Sequence, residues 1–325
     1  MLIASFTIIA QDDENPLVIS GSVDTYYKYD FSGEPNSITS FANDQNSFSL
    51  GMVNLILSKE VGKASFVADL AFGPRAEQSA PGAIQNLYVS YALSDKISVT
   101  GGFMGTFVGY EIISPTGNFN YSTSYLFSNG PFQNGGLKFD FAISDRFGFM
   151  VGVFNEFDSY SNSSGGFDFG TQFYVSPVDG WDAYINFVTS NDSGTEIDLA
   201  TTYQISDAFM LGFNAAKRTT GEFFDEVEGD GSNFVGVALY ANYAFSDSFA
   251  LGVRAENFDD RDGGVLSDVS SKVNSLTVSA NIGSGPLKLI PEIRFDTADE
   301  DLFLDGEGDP TDSFAQFLVA AVFSF

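Results

Sequence analysis

The chain ends in the stretch Ser313-Phe314-Ala315-Gln316-Phe317-Leu318-Val319-Ala320-Ala321-Val322-Phe323-Ser324-Phe325, and this stretch decides the fold. Counted back from Phe325, alternate residues place Phe323, Ala321, Val319 and Phe317 on one side of an extended chain. Because successive side chains of a β-strand point to opposite faces, the stretch predicts a strand with one aromatic, apolar face. In water such a terminal strand frays and aggregates, whereas in lipid it can close a barrel that has no free edge. We therefore expect it to be the closing strand of a transmembrane β-barrel.

The composition supports a barrel and excludes several kinds of function. The 325 residues include no cysteine and no histidine, which excludes disulfides, thiol chemistry, His-based catalytic triads and His-ligated metals. The formal net charge of −29 disfavours nucleic acid and anionic surfaces as partners. So much charge often indicates disorder, but 35 Phe, 14 Tyr and 33 Gly in short alternating runs are typical of a β-barrel.

The first ten residues form a short apolar segment, which the polar run Gln11-Asp12-Asp13-Glu14-Asn15 follows. This pattern is similar to the apolar region of a secretory signal peptide, with a break after Ala10. An extra strand or a plug segment is the alternative. We therefore predict that residues 1–10 are the remnant of a signal peptide and that residues 11–325 form a single β-barrel domain.

From Leu17 onward, alternating runs are separated by connections of two kinds. The short ones contain Ser, Asp, Gly and Pro, which suit tight hairpins; examples are Ser94-Asp95-Lys96, Ser144-Asp145-Arg146, Ser206-Asp207-Ala208 and Ser246-Asp247-Ser248. The long, mostly acidic ones lie around 31–45, 74–83, 109–134, 155–166, 189–195, 218–232, 258–271 and 297–311. This strict alternation predicts an all-β fold, a transmembrane antiparallel up-and-down barrel of about sixteen strands with short periplasmic turns and long extracellular loops. Two soluble all-β sandwiches are the alternative.

Parity along the strands separates a lipid side from a lumen side. Sets such as Leu137, Phe139, Phe141 and Ile143 are assigned to lipid. The residues predicted to line a pore are Asp24, Lys28, Asp69, Lys138, Asp140, Asp198, Arg254, Glu256, Lys288, Glu292, Arg294 and Asp296. Basic and acidic groups on opposite walls would set a field across a pore and select its permeants. The alternative is that these charges pair with one another and contribute little.

The third long connection is the longest stretch without alternation, and it is rich in aromatic and small polar residues. An aromatic loop of this length is not expected to extend into water, so we predict that it folds into the barrel and narrows the pore. The predicted constriction residues are Tyr110, Glu111, Asn118, Asn120, Tyr121 and Tyr125. A cap that packs on neighbouring loops outside the barrel is the alternative.

A family resemblance is carried by segments of the N-terminal half, namely Val23-Asp24-Thr25-Tyr26-Tyr27, Asn46-Ser47-Phe48, Ala68-Asp69-Leu70-Ala71-Phe72-Gly73-Pro74-Arg75-Ala76-Glu77, Gly109-Tyr110-Glu111, Asn118-Phe119-Asn120-Tyr121-Ser122 and Gly130-Pro131-Phe132. These segments resemble the OmpL-like β-barrel porins of bacterial outer membranes, and the rest of the chain resembles them by strand pattern alone. The resemblance implies a passive porin and no specific binding residue. Asn155-Glu156-Phe157-Asp158 departs from the Asn-Gly-Trp-Asp-like sequence expected there. The terminal Phe325 resembles the C-terminal signal that the outer-membrane assembly machinery reads.

The later long connections are acidic, and the eighth carries Asp301, Asp305 and Asp309. Carboxylates beside Gly can hold Ca²⁺ through oxygen ligands, so these three residues are candidate calcium ligands. Their spacing does not match an EF-hand loop, and a solvated acidic vestibule that repels anions is the alternative. No other metal and no cofactor are expected.

Together these features predict a bacterial outer-membrane porin, whose water-filled channel passes small hydrophilic solutes or ions and prefers cations because its mouth is acidic. The expected partners are outer-membrane lipid, the permeating solutes and the assembly machinery. Association with copies of itself or with another outer-membrane protein stays open. The alternative is a structural or partner-binding barrel with an occluded lumen. An enzyme is not expected, since phospholipase-type and omptin-type barrels need a His general base, and only a carboxylate-only hydrolase would remain.

Overall fold

The computed structural model describes residues 15–80, 82–163, 165–190, 194–219, 233–283 and 285–325. The predicted signal-peptide remnant, residues 1–10, lies outside these ranges and stays a prediction. Most of the sixth long connection, from 220 to 232, also lies outside them. No helix in the described part of the chain is long and apolar enough to span a membrane.

Strands make up most of the described chain. The barrel strands are β1 (Val18–Asp30), β2 (Ser47–Val61), β3 (Ala64–Phe72), β4 (Ile84–Ser94), β5 (Ile97–Gly105), β6 (Gln133–Ser144), β7 (Phe147–Phe154), β8 (Asp168–Val175), β9 (Trp181–Ser190), β10 (Gly194–Ser206), β11 (Phe209–Thr219), β12 (Phe234–Ser246), β13 (Phe249–Asp260), β14 (Ser271–Ile282), β15 (Leu287–Ala298) and β18 (Ser313–Ser324). The eighth long connection contains the two-residue strands β16 (Phe303–Leu304) and β17 (Pro310–Thr311). Two short helices, α1 (Pro74–Ser79) and α2 (Tyr125–Asn129), lie in the second and third connections.

The barrel is closed, because β18 pairs with β1 as well as with β15. The described strands that form it number sixteen, and each is antiparallel to both neighbours. Beyond the last strand residue, the Phe325 N–H donates to the Gly21 carbonyl at 3.0 Å, and the Gly21 N–H donates to the Phe325 carbonyl at 3.1 Å. The predicted fold class and the closing role of the C-terminal stretch are therefore confirmed.

The two faces of each strand differ in exposure as the period of two requires. In β1, Val23 is 46 % exposed on the outer face, whereas Asp24 beside it is 2 % exposed on the inner face. The inner face is not polar throughout. Leu318 and Val322 of β18 are buried inward, where they pack with Tyr26 and Tyr121. This part of the lumen wall is therefore dry, because it contacts another part of the chain instead of water.

Short turns and long connections alternate around the barrel, with one departure from expectation. The segment around 189–195 was expected to be a long loop, yet β9 extends to Ser190 and β10 begins at Gly194. Only residues 191–193, outside the described ranges, connect the two strands. Thr189 lies opposite Thr195 with their hydroxyls 2.6 Å apart, so polar residues that suggested a loop belong to the strand ladder.

Pro291 lies within β15, where a proline removes a ladder donor and often causes a bulge or a local distortion. The register with β14 is the same on both sides of it, with Ser279 opposite Glu292 and Ile282 opposite Leu289. The pairing is interrupted only between these positions, while the ladder with β18 continues through Pro291. The distortion is therefore a gap in one ladder and not a bulge.

Candidate functional site

The third long connection, residues 106–132 (loop 3), lies inside the barrel. Its Tyr121 and Tyr125 are both 0 % exposed. The Tyr125 hydroxyl donates to Asp296 on β15 at 2.6 Å, and the Tyr121 hydroxyl donates to Asp24 on β1. Burial raises the pKa of Tyr121 and of Tyr125 well above the usual value, so both hydroxyls stay protonated and can act as donors. Loop 3 therefore crosses the lumen and reaches strands on its far side.

Two wall carboxylates hold the backbone of loop 3. Glu256 on β13 accepts the N–H groups of Tyr125 at 2.9 Å and Leu126 at 2.8 Å, which are free N–H groups at the start of α2. Glu292 on β15 accepts the N–H groups of Tyr121 at 2.9 Å and Ser122 at 3.2 Å. Because a charged acceptor makes a stronger hydrogen bond than a neutral one, these two residues fix the middle of the loop against the wall.

Two buried arginines of the same wall bind the loop's carbonyl groups. Arg254 on β13 lies 2.7 Å from Glu111 in loop 3 and donates to the Ser122 carbonyl at 2.7 Å. Arg294 on β15 pairs with Asp296 at 2.9 Å and donates to the Thr123 carbonyl at 3.0 Å. A guanidinium group with five donors can satisfy several carbonyl and carboxylate oxygens at once, which suits it to a buried anchor.

Parts of loops 1 and 2 also enter the lumen, which sequence reasoning missed. Arg75 of α1 donates to the carbonyls of Ile113 at 3.1 Å and Tyr121 at 3.2 Å. Its guanidinium lies 4.8 Å from the ring centre of Phe41 in the first long connection and 4.7 Å from that of Tyr121. The only signal in the sequence was the place of Arg75 in the Gly73-Pro74-Arg75 segment of the family resemblance.

Glycines on the inner face make room for loop 3. The alternation along the strands places them on that face but does not indicate this role. A Cβ atom added to any of them would overlap a loop-3 side chain: Phe107 at Gly170, Tyr110 at Gly212, Leu126 at Gly236 and Phe119 at Gly252. Glycine permits this close approach because it has no side chain to fill the space. The wall of β8 to β13 is therefore shaped to fit one conformation of loop 3.

A cavity of about 610 Å³ remains between loop 3 and the strands β2 to β9. Its lining includes Asn54, Asp69, Asn86, Lys138, Gln172 and Tyr184. The Asp69 carboxylate accepts the side-chain N–H groups of Asn54 and Asn86, each at 3.3 Å. Loop 3 therefore packs against one side of the barrel and leaves open space on the other.

The other parity-assigned residues occupy four different environments. Asp198 is buried, and it accepts the Gly109 N–H of loop 3 at 3.0 Å and the Asn186 amide at 2.6 Å. Lys138 pairs with Asp140 at 2.9 Å. Lys28 is fully buried, and its ammonium group has no hydrogen-bond partner within the described chain. Lys288 lines a separate cavity of about 630 Å³ below loop 3, at the short-turn end.

Charges in the lumen are mostly paired across short distances. Each of Arg254, Arg294 and Lys138 lies within 3 Å of a carboxylate oxygen. Each of these three bases therefore lies beside its own acidic partner and not across the lumen from it. Within loop 3, Asn118 bonds the backbone of Ile112, and Asn120 donates to Ser279 on β14 at 2.7 Å. These two amides shape the loop and attach it to the wall.

The candidate calcium ligands lie in the eighth connection. The Asp305 carboxylate accepts the N–H groups of Glu307 at 2.8 Å and Asp309 at 3.0 Å, and these bonds lower the pKa of Asp305. Its acceptor capacity therefore serves a tight backbone turn. Across the described ranges, no group of three or more acidic residues is arranged to hold a metal ion.

Asp158 in the fourth connection ties the end of loop 3 to the neighbouring loop. One of its carboxylate oxygens accepts the N–H groups of Phe132 at 2.8 Å and Gln133 at 2.7 Å. Its φ of +60° is a conformation that Asn and Asp adopt more readily than most residues. Burial raises the pKa of Asp158 to about 6.

We expect Asp158→Asn to make the barrel more stable at pH 7 and to reduce the dependence of its stability on pH. A carboxyl group whose folded pKa exceeds its unfolded value, about 4, stabilises the fold while it is protonated. That contribution to stability is lost as the pH rises from about 4 to about 6 and the carboxyl group ionises. An Asn side chain does not ionise, so its contribution does not change with pH. The temperature at which the folded band disappears from gels should be about 2–4 °C higher in Asp158→Asn than in the wild type at pH 7. The two proteins should lose the folded band at the same temperature near pH 4. Asp95→Asn at a short turn is the control. If the stability of Asp158→Asn depended on pH as strongly as that of Asp95→Asn, the expectation would be contradicted.

The barrel is similar in fold to solved outer-membrane proteins. OmpF of Salmonella typhi, in complex with daunomycin, is 14% identical with a TM-score of 0.68, covering 96% of this chain and 98% of that one. The outer membrane channel DcaP of Acinetobacter baumannii is 13% identical with a TM-score of 0.65, covering 96% and 97%. An anion-selective porin from Comamonas acidovorans is 15% identical with a TM-score of 0.63, covering 96% and 100%. At these identities the similarity shows the fold alone.

The sequence matches none of the curated proteins. One family model, described as "Putative beta-barrel porin-2, OmpL-like", matches residues 16–325. That match extends over both halves of the barrel, beyond the N-terminal segments that carried the resemblance. The chain therefore belongs to the family of OmpL-like β-barrel porins and is a protein of the bacterial outer membrane.

Proposed function

We propose that the barrel forms a water-filled channel through which small hydrophilic solutes and ions diffuse passively, with a mild preference for cations. The observation that carries this proposal is the cavity of about 610 Å³ beside loop 3. It is large enough for a small solute, and its polar lining can replace part of the water that a permeant loses.

The charges around the cavity support the preference for cations. Glu111 and Lys138 both line the cavity. Arg254 neutralises Glu111, and Asp140 neutralises Lys138. Asp69 has only amide partners, so its negative charge is not balanced by a neighbouring base. With Asp+Glu at 43 and Lys+Arg at 14, the chain as a whole also attracts cations towards its mouths.

The purified protein is expected to conduct in planar bilayers, with a reversal potential under a KCl gradient that favours K⁺. Asp69→Asn should reduce this preference while the channel still conducts, because the variant removes the unbalanced charge and keeps the size of the side chain. Asp179→Asn, in an exposed ion pair at a short turn, is the control. A wild-type reversal potential that does not favour K⁺ would refute the cation preference. Equal reversal potentials in wild type and Asp69→Asn would refute the contribution of Asp69 to it.

A partner-binding barrel with an occluded lumen is the second candidate. The observation that favours it is the extent to which the first three long connections fill the lumen, with Phe41, Tyr121 and Tyr125 all fully buried. Correctly folded protein that never conducts would favour this alternative over the channel.

Phe325 is proposed to be read by the outer-membrane assembly machinery through its ring. Phe325→Ala keeps both backbone hydrogen bonds to Gly21, whereas deletion of residue 325 removes them. We expect Phe325→Ala to reduce the amount of folded barrel in cell outer membranes several-fold and to refold normally in detergent. The deletion should impair both. Normal levels of Phe325→Ala in cells would exclude a role for the ring.

A further inference from the structure

We propose that the cavity between loop 3 and the strands β2 to β9 is a binding subsite for neutral, hydroxyl-rich solutes such as saccharides. This inference rests on the proposed channel function and names the class of permeant that the channel retains during passage.

The hydrogen-bonding lining consists mainly of uncharged amides. Asn54 and Asn86 flank Asp69 on neighbouring strands, and each gives it one N–H. An amide NH₂ has two donors and a carboxylate has about four acceptor sites. These three side chains therefore still have donors and acceptor sites that can bind a ligand. Hydroxyl groups, which donate and accept, suit such a mixed set of donors and acceptors.

A buried acceptor in the lining lacks a partner. Gln133 donates from its side-chain nitrogen to Gln85 at 3.0 Å, while its side-chain oxygen has no hydrogen-bond partner within the described chain. Gln133 is almost completely buried and lines the cavity. A buried acceptor without a donor costs free energy, and a hydroxyl group or a water molecule in the cavity would satisfy it.

The charge balance favours neutral ligands over anions. Among the described residues that line the cavity, Lys138 is the only basic one, and it is paired with Asp140. An anion would therefore meet Asp69 without a compensating base. Small cations can pass, but the amide-rich lining offers them few anionic ligands, so it retains them weakly.

Aromatic surface completes the site. Tyr184 on β9 and Phe107 of loop 3 both line the cavity. Gln172 also lines the cavity, and its side-chain nitrogen donates to the Phe107 carbonyl at 2.9 Å, which fixes that part of the loop. The C–H face of a pyranose ring can pack on an aromatic ring while its hydroxyls reach the amides, as in pockets that combine apolar surface with a few placed polar groups.

The test is the effect of neutral maltose on ion current through the full-length protein in planar bilayers. We expect a saturable, concentration-dependent reduction of the KCl current by maltose. A polyethylene glycol of the same hydrodynamic size, which has few hydroxyls, should reduce the current only in proportion to its effect on bulk conductivity. Equal effects of maltose and the glycol would overturn the proposal, while the channel function would stand.

Tyr184→Ala separates binding from simple obstruction. We expect the half-blocking concentration of maltose to rise about five- to tenfold in this variant, the loss expected for one aromatic contact. Tyr88→Ala is the matched control, because Tyr88 belongs to β4 and does not line the cavity. An unchanged half-blocking concentration in Tyr184→Ala would contradict the assigned site. A complete lack of current in wild type would instead remove the channel function itself.

Discussion

Arg254→Ala is expected to release loop 3 from the β13–β15 wall, to raise single-channel conductance at least about twofold, and to lower the free energy of unfolding by about 3–5 kcal/mol. Arg254 is fully buried, and its removal leaves Glu111 and the Ser122 carbonyl without their charged donor. An uncompensated buried carboxylate is costly, and movement of the loop towards water relieves that cost.

The measurements are single-channel conductance, current noise and the temperature at which the folded gel band is lost. Arg146→Ala is the matched control, since Arg146 forms an ion pair with Asp179 at 2.8 Å that is largely exposed. An exposed pair contributes about 0–1 kcal/mol, so this variant should resemble wild type in all three measurements. If Arg254→Ala were no different from Arg146→Ala, loop 3 would not depend on the buried pair.

The strands could be predicted from the sequence because a period of two is a local property. The alternation that ends at Phe325 identified the closing strand, and the Ser-Asp turns identified four hairpins elsewhere in the barrel. The same composition rule failed at 189–195, where Thr189 and Thr195 pair within a ladder. Polar residues suit a loop or a strand end equally, and only pairing with the neighbouring strand decides between them.

The contacts of loop 3 could not be predicted, because they depend on residues far apart in sequence. Parity assigned Arg254 and Glu292 to the inner face, but it could not show that both bind loop 3 instead of water. Leu318 is an apolar residue on the inner face, and Tyr121 of loop 3 is one of its apolar neighbours there. Arg75 lies in a loop, where no period exists to indicate the direction of its side chain.

Gly212→Leu is expected to change the channel in the opposite direction and reduce its conductance. A side chain at position 212 would overlap the hydroxyl and ring of Tyr110, which stacks on Tyr240 with ring centres 4.1 Å apart. Overpacking of this kind costs about 1–3 kcal/mol unless a side chain moves. Since Phe107, Val108, Gly109 and Glu111 line the open cavity, displacing Tyr110 from the wall pushes this part of loop 3 into the passage.

The double variant Gly212→Leu/Tyr110→Ala tests this cause directly, because it removes the ring that the new leucine displaces. We expect it to recover most of the wild-type conductance, with a clear coupling between the two substitutions. Gly101→Leu is the control, since position 101 faces lipid and an added Cβ would lie 3.4 Å from Leu137, in tolerable contact. If the double variant conducted as poorly as Gly212→Leu alone, the leucine would obstruct the lumen itself. The glycines of the wall would then have to be explained by strand geometry and not by the fit of loop 3.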